Sequence, residues 1–141
     1  MSIKTILLPL FVQVALTFAL LVLMARARIG ALKTGQVKMA DIALGQPAWP
    51  PRVQQICNCY HNQFQLPVLF YVLTILAIIT RHADLIFVVL AWLFVVLRIV
   101  HAYVHCTSNN VRHRFNAFAA GFFVLLAMWV IFAVEILLGL P

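Results

Sequence analysis

Leu85-Ile86-Phe87-Val88-Val89-Leu90-Ala91-Trp92-Leu93-Phe94-Val95-Val96-Leu97 is an unbroken apolar run that ends in Arg98-Ile99-Val100-His101-Ala102-Tyr103-Val104-His105. A helix needs about 20 mostly apolar residues to cross a bilayer core, and this segment has that length and character. Three further apolar runs flank it: Ile3 to Met24, Leu66 to Thr80, and Val111 to Leu140. The whole 141-residue chain is 65% hydrophobic and 9% charged, with a mean hydropathy of +1.06. Soluble domains carry about 25% charged and roughly 45–50% apolar residues. The reading is an all-α integral membrane protein: one domain over residues 1–141, folded as a four-transmembrane-helix bundle. The spans are expected at about 3–25, 53–80, 85–105 and 111–140. A disordered chain, a disulfide scaffold, a collagen-like chain and a separate soluble catalytic module are all excluded by the same composition.

The run from Ile3 to Met24 would rise about 33 Å as a helix, and Arg26 and Arg28 read as its charged stop. It is longer than the apolar region of a secretory signal. Gly30 to Pro51 is polar and holds Pro47, Pro50 and Pro51, which predicts a loop on the membrane surface with Trp49 as an interface anchor. Val53 to Gln65 is polar and Leu66 to Thr80 apolar. One long helix kinked at Pro67 accounts for both halves. Arg81 to Asp84 reads as a tight turn with Asp84 as N-cap. Thr107 to Asn110 breaks the third span from the fourth, where Ala117 and Gly121 form a small-xxx-small step.

The net charge of +7 comes from ten Lys and Arg against Asp41, Asp84 and Glu135. On a soluble chain that excess suggests nucleic acid. Here Arg26, Arg28, Lys33, Lys38 and Arg52 cluster between two spans, so it reads as a topology signal and a contact with anionic headgroups. The positive-inside rule places loops 26–52 and 106–111 in the cytoplasm and both termini outside. Cys57, Cys59 and Cys106 have no framework spacing and read as free thiols packed like small hydrophobes. Glu135 stands alone near the outer end of the fourth span, where it snorkels or pairs with Lys4.

Polar groups at membrane depth call for a reason. Asn58, His61, Asn62 and Gln65 recur at steps of three and four and form one stripe. Arg98, His101 and His105 form another on the third span. Both lie at the cytoplasmic ends of their helices, level with Arg114 at the start of the fourth, and are expected to converge on one pocket. The plain alternative is that these groups only satisfy one another inside a bundle. No nucleophile triad, HExxH motif, phosphate loop or carboxylate pair accompanies them. His61, His101 and His105 have the ligand types for zinc, and two of them for haem. The neighbouring arginines favour an anion instead. Arg114, at the positive end of a helix dipole, would lower the pKa of a bound thiol.

Asn62-Gln63-Phe64-Gln65-Leu66-Pro67-Val68-Leu69-Phe70 resembles the second-helix signature of the MAPEG proteins (membrane-associated proteins in eicosanoid and glutathione metabolism). That signature is Asn-x-x-Glu followed by Pro and apolar residues. Arg98-Ile99-Val100-His101 with His105 resembles the third-helix signature, and Asn110 to Arg114 the start of the fourth. The resemblance covers all four spans and is closest to small bacterial members. It implies a homotrimer in the inner membrane with glutathione as co-substrate, bound between subunits at the cytoplasmic side. It also implies glutathione-transferase or peroxidase chemistry on a lipophilic electrophile or hydroperoxide drawn from the bilayer. Carried over by position, Arg114 is the thiolate-stabilising, catalytic residue. Asn62, Gln65, Arg98, His101 and His105, together with the stripe neighbours Asn58 and His61, form the glutathione site.

Three departures accompany the match. Gln65 stands where the motif has Glu, Gln55 and Asn58 stand where glutathione-using members often have arginines, and Phe115 and Phe118 replace polar residues of some enzymes. They support an alternative in which the same trimer is a non-catalytic lipid-binding protein or a subunit of a larger membrane complex.

Overall fold

A computed structural model of the chain describes residues 1–140, and every regular element among them is helical. Helix α1 runs Ile3–Lys33, opened by Ser2, whose hydroxyl accepts from the Thr5 amide at 3.3 Å. Its 31 residues rise about 47 Å, well beyond a hydrocarbon core of about 30 Å. The helix thus runs on beyond the span expected at about residues 3–25, through Arg26, Arg28 and Lys33, because Arg, Lys and Ala are good helix formers. The helix stops at Thr34, and Gly35, at φ 74°, takes the left-handed conformation that closes it.

The following loop is less irregular than expected, because it contains a single helical turn, α2 (Met39–Ile42). Trp49 is held by protein as well: the Arg28 guanidinium lies 4.9 Å over its ring and donates to Cys57 Sγ at 3.2 Å.

The second crossing is built in two pieces, which corrects the single kinked helix. Helix α3 (Pro51–His61) passes into a 3-10 turn at Asn62–Phe64, and α4 (Leu66–Ile79) begins afresh. Between them Gln65 sits at φ −96°, ψ −108°, outside the helical region. The reason is Pro67. It has no N–H to offer the Gln63 carbonyl, and its ring clashes with that carbonyl in a continuous helix. In the first turn of a new helix it loses nothing.

Backbone groups freed at membrane depth must find other partners. Gln63 Nε2 donates to the Cys59 carbonyl at 3.0 Å, and Gln13 Nε2, from α1, donates to Gln63 Oε1 at 3.0 Å. Gln13 is 0% and Gln63 1% exposed. Arg98 Nη2 donates to the Asn62 carbonyl at 3.3 Å.

Helix α5 (Leu85–Cys106) starts as expected at Asp84, whose carboxylate accepts from the Phe87 amide at 2.8 Å. Helix α6 (Val111–Leu138) starts at Asn110, whose side chain accepts from the Arg112 and His113 amides. These two helices pack along their length, and Gly121 is buried where a Cβ would lie 3.9 Å from Phe94 and Leu97. The apolar core between α4, α5 and α6 centres on Phe70, Leu73, Phe94, Val95 and Leu125.

Four crossings leave both termini at one end of the bundle. The other end, called the loop end below, carries residues 34–50 and the turn at 107–110. Glu135, at the terminal end, lines a water-sized cavity of about 10 Å³ with His82 and Asp84 rather than meeting Lys4.

The buried amide pair predicts a coupled response. Gln63→Leu and Gln13→Leu each lower stability by about 1–3 kcal/mol, because the partner amide is left buried and unpaired. The double variant loses less than the sum of the two. Strictly additive losses in denaturation in detergent would contradict the pairing.

Candidate functional site

Both polar stripes reach the same place. At the loop end, a recess of about 470 Å³ is lined by Asn58, His61, Asn62 and Gln65 from the α3 side, His101 and His105 from α5, and Val111, Arg114, Phe115 and Phe118 from α6. The break after His61 positions the first wall. Helical spacing aligns Asn58, His61 and Asn62, and the non-helical Gln65 completes the row beside the start of α4.

The second wall is rigid and mostly covered. His101 is 2% and His105 6% exposed, and their rings stand edge to face at 5.5 Å. Phe118 packs on His101, with ring centroids 5.7 Å apart. On α6, Arg114 is half-buried one turn inside the helix start, and its Nη1 donates to Asn109 Oδ1 at 2.7 Å. The remaining guanidinium N–H groups and the helix dipole act on the same volume.

Arg98 takes a different place from the other predicted residues. It is 1% exposed and stands behind the wall, where Nη2 donates to Asn62 Oδ1 at 2.5 Å. Nε and Nη1 have no protein partner. Its charge reaches the recess through the interior, and its contact orients Asn62. Asn62 Nδ2 in turn donates to Gln65 Oε1 at 3.0 Å, so Arg98, Asn62 and Gln65 form a chain that ends at the recess.

Gln55 does not enter the recess. Its Nε2 donates to the carbonyls of His105 at 2.8 Å and Thr107 at 3.1 Å, and Arg52 donates to the Cys106 carbonyl. The start of α3 is thus latched to the end of α5, which fixes the two walls relative to each other. Sequence reasoning missed this latch, and also the Gln13–Gln63 support of the break. The one available signal was Gln13 itself, a lone amide in an apolar run. Val111 joins the lining without any sequence signal.

Beside the recess, toward mid-membrane, a cleft of about 360 Å³ runs between α4 and α6, lined by Leu66, Leu69, Phe122, Leu125, Leu126 and Trp129. Gln65 precedes Leu66 directly and Phe118 lies one turn before Phe122, so the apolar cleft adjoins the polar recess. The arrangement suits an anion at the loop end and a hydrocarbon group alongside. Cys57, Cys59 and Cys106 are free and buried, as expected. Among the described residues no group of three or more His, Cys, Asp or Glu side chains is placed to hold a metal ion.

A family model described as MAPEG family matches residues 6–134. No curated protein and no solved structure matches the chain.

The two asparagines of the recess should differ sharply. Asn62→Ala removes the side-chain acceptor of a buried guanidinium and is expected to lower stability by about 1.5–3 kcal/mol. Asn58→Ala breaks only an exposed amide pair with Gln54 and should stay within about 0.5 kcal/mol. Thermal unfolding of both variants in detergent checks this, and equal losses would contradict the placement of Arg98.

Proposed function

The chain belongs to the MAPEG family, and we propose that it is a glutathione-dependent membrane transferase or peroxidase. It would act on a lipophilic electrophile or lipid hydroperoxide, as a homotrimer in a bacterial inner membrane with the loop end in the cytoplasm. The observation that carries this reading is the convergence of Asn58, His61, Asn62, Gln65, His101, His105 and Arg114 on one recess, with a wholly apolar cleft beside it.

These residues fit a thiol tripeptide with two carboxylates. Arginine and amide N–H groups bind carboxylates through charge-assisted hydrogen bonds. A thiol near Arg114 and the start of α6 lies where positive charge favours the thiolate, the reactive form. The thiolate sulfur attacks an electrophilic carbon, forming a C–S bond while the departing atom takes the electron pair. With a hydroperoxide it attacks the outer oxygen and the O–O bond breaks, leaving a sulfenic acid and an alkoxide that takes a proton from water to become the alcohol. A second thiol reduces the sulfenic acid to a disulfide and water. The apolar cleft would hold the acceptor's hydrocarbon part beside that sulfur, so that orientation rather than collision sets the rate.

A second reading is a non-catalytic protein that binds a lipid or serves as a subunit of a larger membrane complex. The cleft favours it, because a groove lined only by apolar side chains accepts an acyl chain without any thiol.

Calorimetric titration of the purified protein in detergent with glutathione separates the two. The expected result is saturable binding that weakens at least about tenfold in Arg114→Ala, the loss of a charge-assisted contact. An absence of binding at millimolar glutathione overturns the enzymatic reading in favour of the second.

A further inference from the structure

Two of the three cysteines meet inside the bundle. Cys59, on α3, and Cys106, the last residue of α5, share one packed cluster with Leu20 and Ala102. Their thiols lie within hydrogen-bonding reach of each other. Cys59 Sγ also donates to the Ala102 carbonyl, one turn before Cys106, at 3.6 Å. So short a side chain touches the α5 backbone only where the two helices lie close, and the small residues at 59, 102 and 106 permit that approach. The register is held by Arg52 and Gln55 on the carbonyls of His105, Cys106 and Thr107. Gln55 lies one turn before Cys59, so the latch that fixes the walls of the recess also sets the two sulfurs against each other.

Cys57 has a different setting, although it is only two positions from Cys59. It packs in a separate cluster with Met24, Val53 and Ile56, and its sulfur accepts from Arg28 at 3.2 Å. Two positions on a helix turn the side chain by about 200°, so α3 presents Cys59 to α5 and Cys57 to α1.

A disulfide needs its two Cβ atoms about 3.5–4.5 Å apart, and a thiol pair in contact across two latched helices is arranged for one. We propose that Cys59 and Cys106 form a redox site, which a hydroperoxide oxidises to a disulfide within the chain and a small thiol reduces again. The proposal stands apart from whatever the recess binds. Cys106 is 8% exposed and Cys59 0%, so the oxidant reaches Cys106. The Cys106 sulfur loses its proton and attacks the outer peroxide oxygen. The O–O bond breaks, and the departing alkoxide takes up a proton to become an alcohol, leaving a sulfenic acid. The Cys59 sulfur then attacks the Cys106 sulfur, the S–S bond forms, and hydroxide leaves with the Cys59 proton as water. Two thiols are oxidised and one peroxide is reduced. The new bond ties together the helices that carry the two walls of the recess.

The test treats the full-length protein in detergent with cumene hydroperoxide, a lipophilic oxidant, and then labels thiols with a maleimide after denaturation. The expected result is that one of the three cysteines is labelled, that it is Cys57, and that dithiothreitol restores all three. Mass spectrometry should find Cys59 joined to Cys106. Cys57→Ala should keep the bond, and Cys59→Ala should leave Cys106 as a sulfenic acid that dimedone captures. Three labelled thiols, a bond that includes Cys57, a bond between two chains on a non-reducing gel, or a loss of label that dithiothreitol does not reverse overturns the proposal. Each of these is read on the wild-type protein, so a variant that fails to fold leaves the test intact.

Discussion

The structure depends on how one broken helix is satisfied inside a membrane. Lipid offers no hydrogen bonds, so a spanning helix can be interrupted only where neighbours take over the freed backbone groups. Here Pro67 imposes the interruption, and three side chains meet it: Gln63 on the Cys59 carbonyl, Gln13 in support of Gln63, and Arg98 on Asn62. They come from three different crossings, so the break also ties α1, the second crossing and α5 together. On an uninterrupted helix Gln65 would share the face of Asn58, His61 and Asn62; with the break it still lies in the recess wall, now at the start of α4.

The same residues set the electrostatics of the site. A buried arginine is costly unless its charge is matched or its donors are used. Arg98 finds amide and carbonyl oxygens but no carboxylate, and its Nε and Nη1 stay without a protein partner. The recess therefore carries uncompensated positive charge from two directions, Arg98 within and Arg114 at the start of α6. A ligand supplying negative charge would relieve that imbalance, and this supports the proposed anion site.

Much of this was legible in the sequence, and the failures have physical causes. The third and fourth spans, the Asp84 cap and the 58/61/62/65 stripe followed from apolar run length, capping chemistry and helical spacing. The end of α1 did not, because bilayer thickness limits the lipid-embedded part of a helix and not the helix itself. Arg26 marks the first limit, Thr34 the second. Pro67 announced a disturbance, but whether a proline kinks a helix or starts a new one depends on whether neighbours can accept the freed backbone. That required Gln13, 50 positions away from its partner Gln63. Arg98 shares a helix face with His101 and His105, yet the 3-10 turn covers it and leaves the histidines at the wall. Spacing gives the face of a helix, while depth behind a wall comes from the element packed against it.

The central claim is that Gln65, at the break in the second crossing, lies in the wall of a recess open at the loop end. It is tested most directly by labelling single cysteines with a membrane-impermeant maleimide applied from that side, after the three native cysteines are replaced by alanine. The variants are His61→Cys, Gln65→Cys and Ile75→Cys. The account predicts that the first two react at comparable rates while the third, facing lipid within α4, stays silent. A Gln65→Cys variant as silent as Ile75→Cys would place Gln65 in lipid rather than in the wall of the recess, and would contradict the account.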